Sequence, residues 1–147
     1  MHGRQRSLLI AEDDSNVRSI FAEIFSERGY RVLEASNGAE AYAMLLCPDV
    51  VVNVVLTDLR MPVMDGLEFA SKVKNDTQLS AIPIVLLSAT PLPNSWQARQ
   101  IFDALLVKPC PLPLLISTVE TVQIAQSGDA VQSESPILQA RDDFTRL

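Results

Sequence analysis

Apolar residues along the chain alternate between two patterns, short unbroken runs and longer stretches with helical spacing. The unbroken runs are Ser7-Leu8-Leu9-Ile10-Ala11, Arg31-Val32-Leu33-Glu34-Ala35, residues 50–57, Pro83-Ile84-Val85-Leu86-Leu87-Ser88 and Ala104-Leu105-Leu106-Val107. Runs of this length and apolar density predict strands of a sheet covered on both faces. Asn53 interrupts the third run and reads either as a bulge or as loop. Between the first two runs, Val17, Ile20, Phe21, Ile24 and Phe25 recur at the i, i+3, i+4, i+7 spacing of one buried helical face. Asp14 or Ser15 is placed to cap that helix, and Gly29 to end it. Asn37-Gly38 is a turn into a helix over residues 39–46, stopped by Pro48. A third helix starts at Gly66 and carries Leu67, Phe69, Ala70 and Val73 towards Asn75-Asp76. A short fourth helix, capped by Asn94 or Ser95, holds Trp96, Ala98, Ile101 and Phe102. The last, about residues 112–125, is expected to bury Leu112, Leu115, Ile116, Val119 and Val122.

Five strands alternating with five helices imply an α/β fold: a parallel sheet with right-handed crossovers and helices on both faces. From Ser127 the chain turns to Ser, Gly, Gln and charge, so residues 1–126 read as one domain and 127–147 as a flexible tail. A length of 147 residues suits one domain with a proper core. The net charge of −6 argues against a general affinity for nucleic acid or an anionic membrane, so a direct nucleic-acid or membrane role is not expected. Cys47 and Cys110 match no metal-ligand spacing and are expected to be reduced thiols of a cytoplasmic protein. The apolar run after the basic start is too short for a signal peptide or a membrane span, and His2 lies in that leader, away from any chemistry.

The strand ends change this picture. Glu12, Asp13, Asp14, Asp58, Ser88 and Lys108 all fall at or just after the carboxyl ends of four strands, where open α/β sheets bind their ligands. Taken alone, Glu12-Asp13-Asp14 is an acidic helix start favoured by the macrodipole. With Asp58 brought alongside, like charges crowd together. Two carboxylates about 4 Å apart repel by roughly 4 kcal/mol at an effective dielectric of 20. A hard divalent ion such as Mg²⁺, which takes oxygen ligands and keeps several waters, relieves that cluster, and Lys108 adds a second positive charge. A carboxylate so placed is set up to attack a phosphoryl group and become an acyl phosphate, with Ser88 offering a hydrogen bond to a phosphoryl oxygen. Lys108-Pro109 is a candidate cis peptide.

These pieces together resemble a bacterial response-regulator receiver domain of the two-component family. The resemblance rests on Leu9-Ile10-Ala11-Glu12-Asp13-Asp14 with Arg18, on Asp58-Leu59-Arg60-Met61-Pro62-Val63-Met64-Asp65-Gly66, on Ser88-Ala89 and on Lys108-Pro109. It implies a flavodoxin-like (βα)5 fold of strand order 2-1-3-4-5. It implies Asp58 as phosphoacceptor, and Mg²⁺ held by Asp13, Asp58 and the backbone carbonyl of Arg60, with Glu12 acting mostly through water. Asp14 falls at a position the family leaves variable. Ser88 and Lys108 would contact the phosphoryl group and report it to a downstream protein through the face of the fourth helix, fifth strand and fifth helix. The donor would be a sensor histidine kinase or a histidine phosphotransfer protein, and the domain would not be a turnover enzyme on a small substrate.

Three departures from the family pattern bear on the readout. Leu105 stands where receivers carry Tyr or Phe. Ile101-Phe102-Asp103-Ala104 replaces a Gly-Ala-Asp-Asp-like turn, and with Pro91 and Pro93 nearby the fourth helix is expected to be short or displaced. The run from Pro48 to Asp58 is longer than usual. Two other functions are weighed: a haloacid-dehalogenase-like phosphatase, which needs an aspartate where Arg60 stands, and a pseudo-receiver scaffold, suggested by Leu105.

Overall fold

The computed structural model describes residues 5–90 and 95–125. The expectations placed on the leader with His2, on Pro91, Pro93 and Asn94, on the side chain of Trp96 and on the tail from Ser127 lie outside the described residues.

The elements alternate as expected: β1 (Ser7–Ala11), α1 (Ser15–Glu27), β2 (Arg31–Ala35), α2 (Gly38–Leu46), β3 (Val54–Thr57), α3 (Gly66–Asn75), β4 (Ile84–Ser88), α4 (Ser95–Ile101), β5 (Ala104–Val107) and α5 (Leu112–Ala125). All strand pairs are parallel and the sheet order is β2-β1-β3-β4-β5. The central strands are buried on both faces because each face has its own helices. Leu8, Ile10, Val54, Leu56, Val85 and Leu87 pack with Phe25 of α1 and Leu115 and Val119 of α5. The alternate residues Leu9, Val55, Ile84 and Leu86 pack with Ala41 of α2, Phe69 and Val73 of α3, and Phe102 after α4.

Helix ends follow local chemistry. The Asp14 carboxylate accepts hydrogen bonds from the N–H groups of Asn16 (2.9 Å) and Val17 (3.2 Å), which makes it the cap of α1. Gly29, at φ +97, takes the left-handed conformation that ends the same helix. Asn37 and Asp65 cap α2 and α3 through bonds to the N–H of Glu40 and Glu68, both 2.8 Å.

Two buried-face expectations are corrected. Ile20 is 56% exposed. It lies five residues before Phe25, about 140° round the helix from the direction that faces the sheet, and Ala22 takes the inner place instead. Leu112, in the first turn of α5, is 39% exposed, while Leu115, Val119 and Val122 are buried. Asn53 is loop rather than bulge: its Oδ1 accepts from Ser7 N–H (2.7 Å) and its own N–H donates to Ser7 O (2.9 Å), fastening the start of β1 before β3 begins. The fourth helix is short, at 7 residues.

Candidate functional site

Register explains why the candidate residues meet. Ala11 of β1 lies opposite both Ala35 of β2 and Thr57 of β3. The pairing then continues one step beyond the strands, with Glu12 N–H on Ala35 O, Asp58 N–H on Ala11 O (both 3.0 Å) and Lys108 N–H on Ser88 O (2.9 Å). Glu12 and Asp58 therefore leave the sheet at one level and Lys108 two residues further along, all on its carboxyl-terminal rim.

Glu12, Asp13 and Asp58 each bring a carboxylate oxygen within 4.8 Å of the others. Glu12 is 4% exposed, while Asp13 is open to solvent. Lys108 Nζ stands 3.5 Å from Glu12 Oε1 and 3.6 Å from Asp58 Oδ2, distances of ion pairs rather than short hydrogen bonds. The remaining oxygens are held by backbone: Asp58 Oδ1 accepts from Leu59 N–H at 2.7 Å, and Glu12 Oε2 from Asp14 N–H at 3.0 Å. Burial raises the Glu12 pKa most, the Asp14 N–H opposes it, the negative charge of Asp58 adds to the rise and Lys108 partly offsets it. Three hard oxygen donors around a local excess of negative charge fit a divalent cation such as Mg²⁺.

The loop after Asp58 is tightly closed. Gly66 N–H donates to Leu59 O at 2.7 Å, and a Cβ at Gly66 would overlap the Asp58 carbonyl oxygen. Met64 N–H donates to Pro62 O at 2.7 Å across Val63, whose φ is +69. This is a γ-turn of the strained, positive-φ kind on a β-branched residue. Val63 is 83% exposed. Gly38 anchors the loop from outside, donating its N–H to Met64 O at 2.9 Å.

Of the residues singled out in the sequence, Glu12, Asp13, Asp58 and Lys108 come together. Asp14 serves as the helix cap and Arg60 is exposed on the loop. Ser88 is buried at the rim, but its hydroxyl is engaged in its own turn, donating to Thr90 O (2.9 Å) and accepting from Thr90 N–H (3.2 Å). The Lys108–Pro109 bond is cis. Thr57 was missed: fully buried, it donates its hydroxyl to Asp58 O at 2.8 Å. Its only sequence signal is a polar residue at the end of an apolar run.

A family model for the response regulator receiver domain matches residues 8–120. The chain belongs to the response-regulator receiver family. The response regulator receiver protein CpdR of Brucella abortus is 35% identical to this receiver over 123 residues, which cover 82% of the chain and 98% of CpdR. The two-component response regulator ORR6 of Oryza sativa subsp. japonica is 39% identical over 89 residues, 58% of this chain and 52% of ORR6. The chemotaxis protein CheY1 of Helicobacter pylori is 38% identical over 82 residues, 55% of this chain and 65% of CheY1. The receiver thus spans about half the length of ORR6 and 65% of CheY1. Among solved structures, chemotaxis response regulator CheY4 of Vibrio cholerae superposes with a TM-score of 0.72 at 28% identity, covering 81% of this chain and 99% of CheY4. The response regulator TrrA of Thermotoga maritima, solved in complex with Mg²⁺ and BeF, gives 0.71 at 26% identity over 80% and 98%.

Receivers are signalling modules of two-component systems that work with histidine kinases and phosphotransfer proteins and bind Mg²⁺ through an acidic pocket. The flavodoxin-like fold and the strand order expected from the sequence are those observed. No helix among the described residues is long and apolar enough to cross a membrane.

Proposed function

We propose that this receiver takes a phosphoryl group onto Asp58 from a sensor histidine kinase or a histidine phosphotransfer protein, and signals the change to a downstream protein through α4, β5 and α5. The convergence of Asp58 with Glu12, Asp13 and Lys108 at the sheet rim carries this reading. An oxygen of Asp58 attacks phosphorus as the phosphorus–nitrogen bond of the donor phosphohistidine breaks, and the imidazole keeps the bonding pair. Leu59 N–H holds Oδ1, which leaves Oδ2, on the Lys108 side, as the attacking atom. Asp13, Asp58 and the Arg60 backbone carbonyl would hold Mg²⁺, with Glu12 acting mostly through water. When bound, the ion neutralises charge on the transferring phosphoryl oxygens. Lys108 exchanges its carboxylate partners for a phosphoryl oxygen.

Ser88 has further to go. Its hydroxyl must release Thr90 to reach the phosphoryl group, and that release frees the Thr90 backbone just after β4. The route from site to output face therefore starts at Ser88 and Thr90, with Leu105, half-buried and packed against the core, in place of the Tyr or Phe of other receivers. The receiver proper is residues 1–126 of a cytoplasmic protein, with 127–147 as its tail.

Intact-mass measurement after incubation with Mg²⁺ and acetyl phosphate tests the reading. The expected result is one phosphoryl adduct on the wild type and none on Asp58→Asn. An adduct of equal yield on the variant overturns it.

A further inference from the structure

Arg18 lies on α1, outside the ring of carboxylates, yet its Nη1 donates to the backbone carbonyl of Glu12 at 2.7 Å. Its Nε pairs with Glu34 Oε1 of β2 at 3.2 Å, and the arginine side chain is only 19% exposed. We propose that Arg18 is a positioning residue for the divalent-cation site, locking the Glu12–Asp13 peptide plane so that both carboxylates face Asp58. The inference rests on the phosphoacceptor reading of that site.

The geometry makes a closed frame. Glu12 N–H is fixed on Ala35 O at 3.0 Å, and its carboxylate is held by Asp14 N–H. One backbone group remains, the Glu12 carbonyl, and because the peptide is planar its direction also sets that of Asp13 N–H and the path into Asp13. Arg18 holds that carbonyl. Asp13 itself is exposed and its side chain meets that of Glu12, so the peptide that joins the two residues directs both carboxylates. Glu34, one residue before the Ala35 carbonyl, orients the guanidinium in turn. The planar fork suits this double task, since an ammonium at the same place offers no fixed pair of donor directions.

The two roles open to a cation here differ in sign. If Arg18 acts merely as a positive charge beside the acidic cluster, removing it relieves repulsion and tightens Mg²⁺ binding. If it positions the ligands, removing it weakens binding, as loss of an outer-shell partner does by about 10–100-fold.

Calorimetric Mg²⁺ titration of the wild type, Arg18→Met, Arg18→Lys and Glu34→Gln, with Mg²⁺-dependent phosphorylation by acetyl phosphate, tests this. Arg18→Met is expected to raise the Mg²⁺ Kd about tenfold or more, and the half-saturating Mg²⁺ for phosphorylation with it, while the plateau rate at saturating Mg²⁺ stays at the wild-type value. Arg18→Lys should fall between, and Glu34→Gln should shift Kd in the same direction by less. An unchanged or tighter Kd in Arg18→Met overturns the inference, as does a plateau rate that falls while half-saturation stays fixed. If Arg18→Met does not fold, Glu34→Gln decides, and its unchanged Kd overturns the inference. Failure of the wild type to be phosphorylated on Asp58 is instead a failure of the proposed function.

Discussion

Two lysine–carboxylate pairs stand at opposite ends of this sheet, and they are built to different ends. At the amino-terminal end of β4, Lys74 pairs with Asp103 at 3.3 Å, and its remaining donors reach the carbonyls of Ile82 (3.2 Å) and Ser80 (3.4 Å). Asp103 in turn accepts Ile84 N–H at 2.7 Å. Among the described contacts a lysine meets an aspartate, and backbone groups bond to both. At the carboxyl-terminal rim one lysine faces two of three converging carboxylates across 3.5 and 3.6 Å. The first arrangement matches a cation to a carboxylate and joins the end of α3, β4 and the start of β5. The second holds excess negative charge in place with backbone N–H groups and leaves oxygens facing one another. The first pair ties segments of the fold together, whereas the second leaves negative charge uncompensated at the rim.

The largest expected effect comes from breaking the Lys74–Asp103 pair. Asp103→Ala strips Ile84 N–H of its carboxylate partner and leaves the half-buried Lys74 short of its counter-charge. A loss of about 2–4 kcal/mol is expected, read as a lower midpoint in urea unfolding.

At the rim the sign reverses. The folded-state pKa of Glu12 lies above its ordinary value, so the folded chain holds that proton more tightly than the unfolded one. Its contribution to stability is therefore fully present below the unfolded pKa of about 4.3 and is lost as pH rises through the folded pKa. Without Mg²⁺, Glu12→Gln should flatten the fall in stability above that range and leave the protein as stable as the wild type, or more so, at pH 7.5. The same substitution should weaken Mg²⁺ binding. Thermal melts at several pH values, with and without Mg²⁺, check both halves.

The smallest effect concerns strain, which belongs to the rim. Val63 pays for its positive φ with an estimated 1–3 kcal/mol. Val63→Gly relieves this but adds unfolded-chain entropy, so a net stabilisation of up to about 1 kcal/mol is expected by urea unfolding.

Much of this was legible in the sequence because it depends on local rules. Five apolar runs between helical stretches predict the alternation, and four of them deliver a candidate polar residue at the carboxyl end, so Glu12, Asp58 and Lys108 had to share a rim once the strands were parallel. Contacts that cross the fold were not legible. Lys74 and Asp103 sit on unrelated segments, and Asp103 read only as a departure from a family turn. Asn53 broke an apolar run, and only its bonds to Ser7 show why. Ile20 fitted the helical spacing yet faces outwards, since spacing defines a stripe without saying which edge the sheet covers. The direction of the Ser88 hydroxyl depends on Thr90, which one-dimensional pattern cannot supply.

The central claim is that Asp58, rather than either neighbouring acid, carries the phosphoryl group. Borohydride reduction of the acyl phosphate after reaction with acetyl phosphate and Mg²⁺, followed by peptide mapping, reads the site directly. The account predicts the reduced side chain at residue 58 alone. Reduction at Glu12 or Asp13, with residue 58 unaltered, would contradict it.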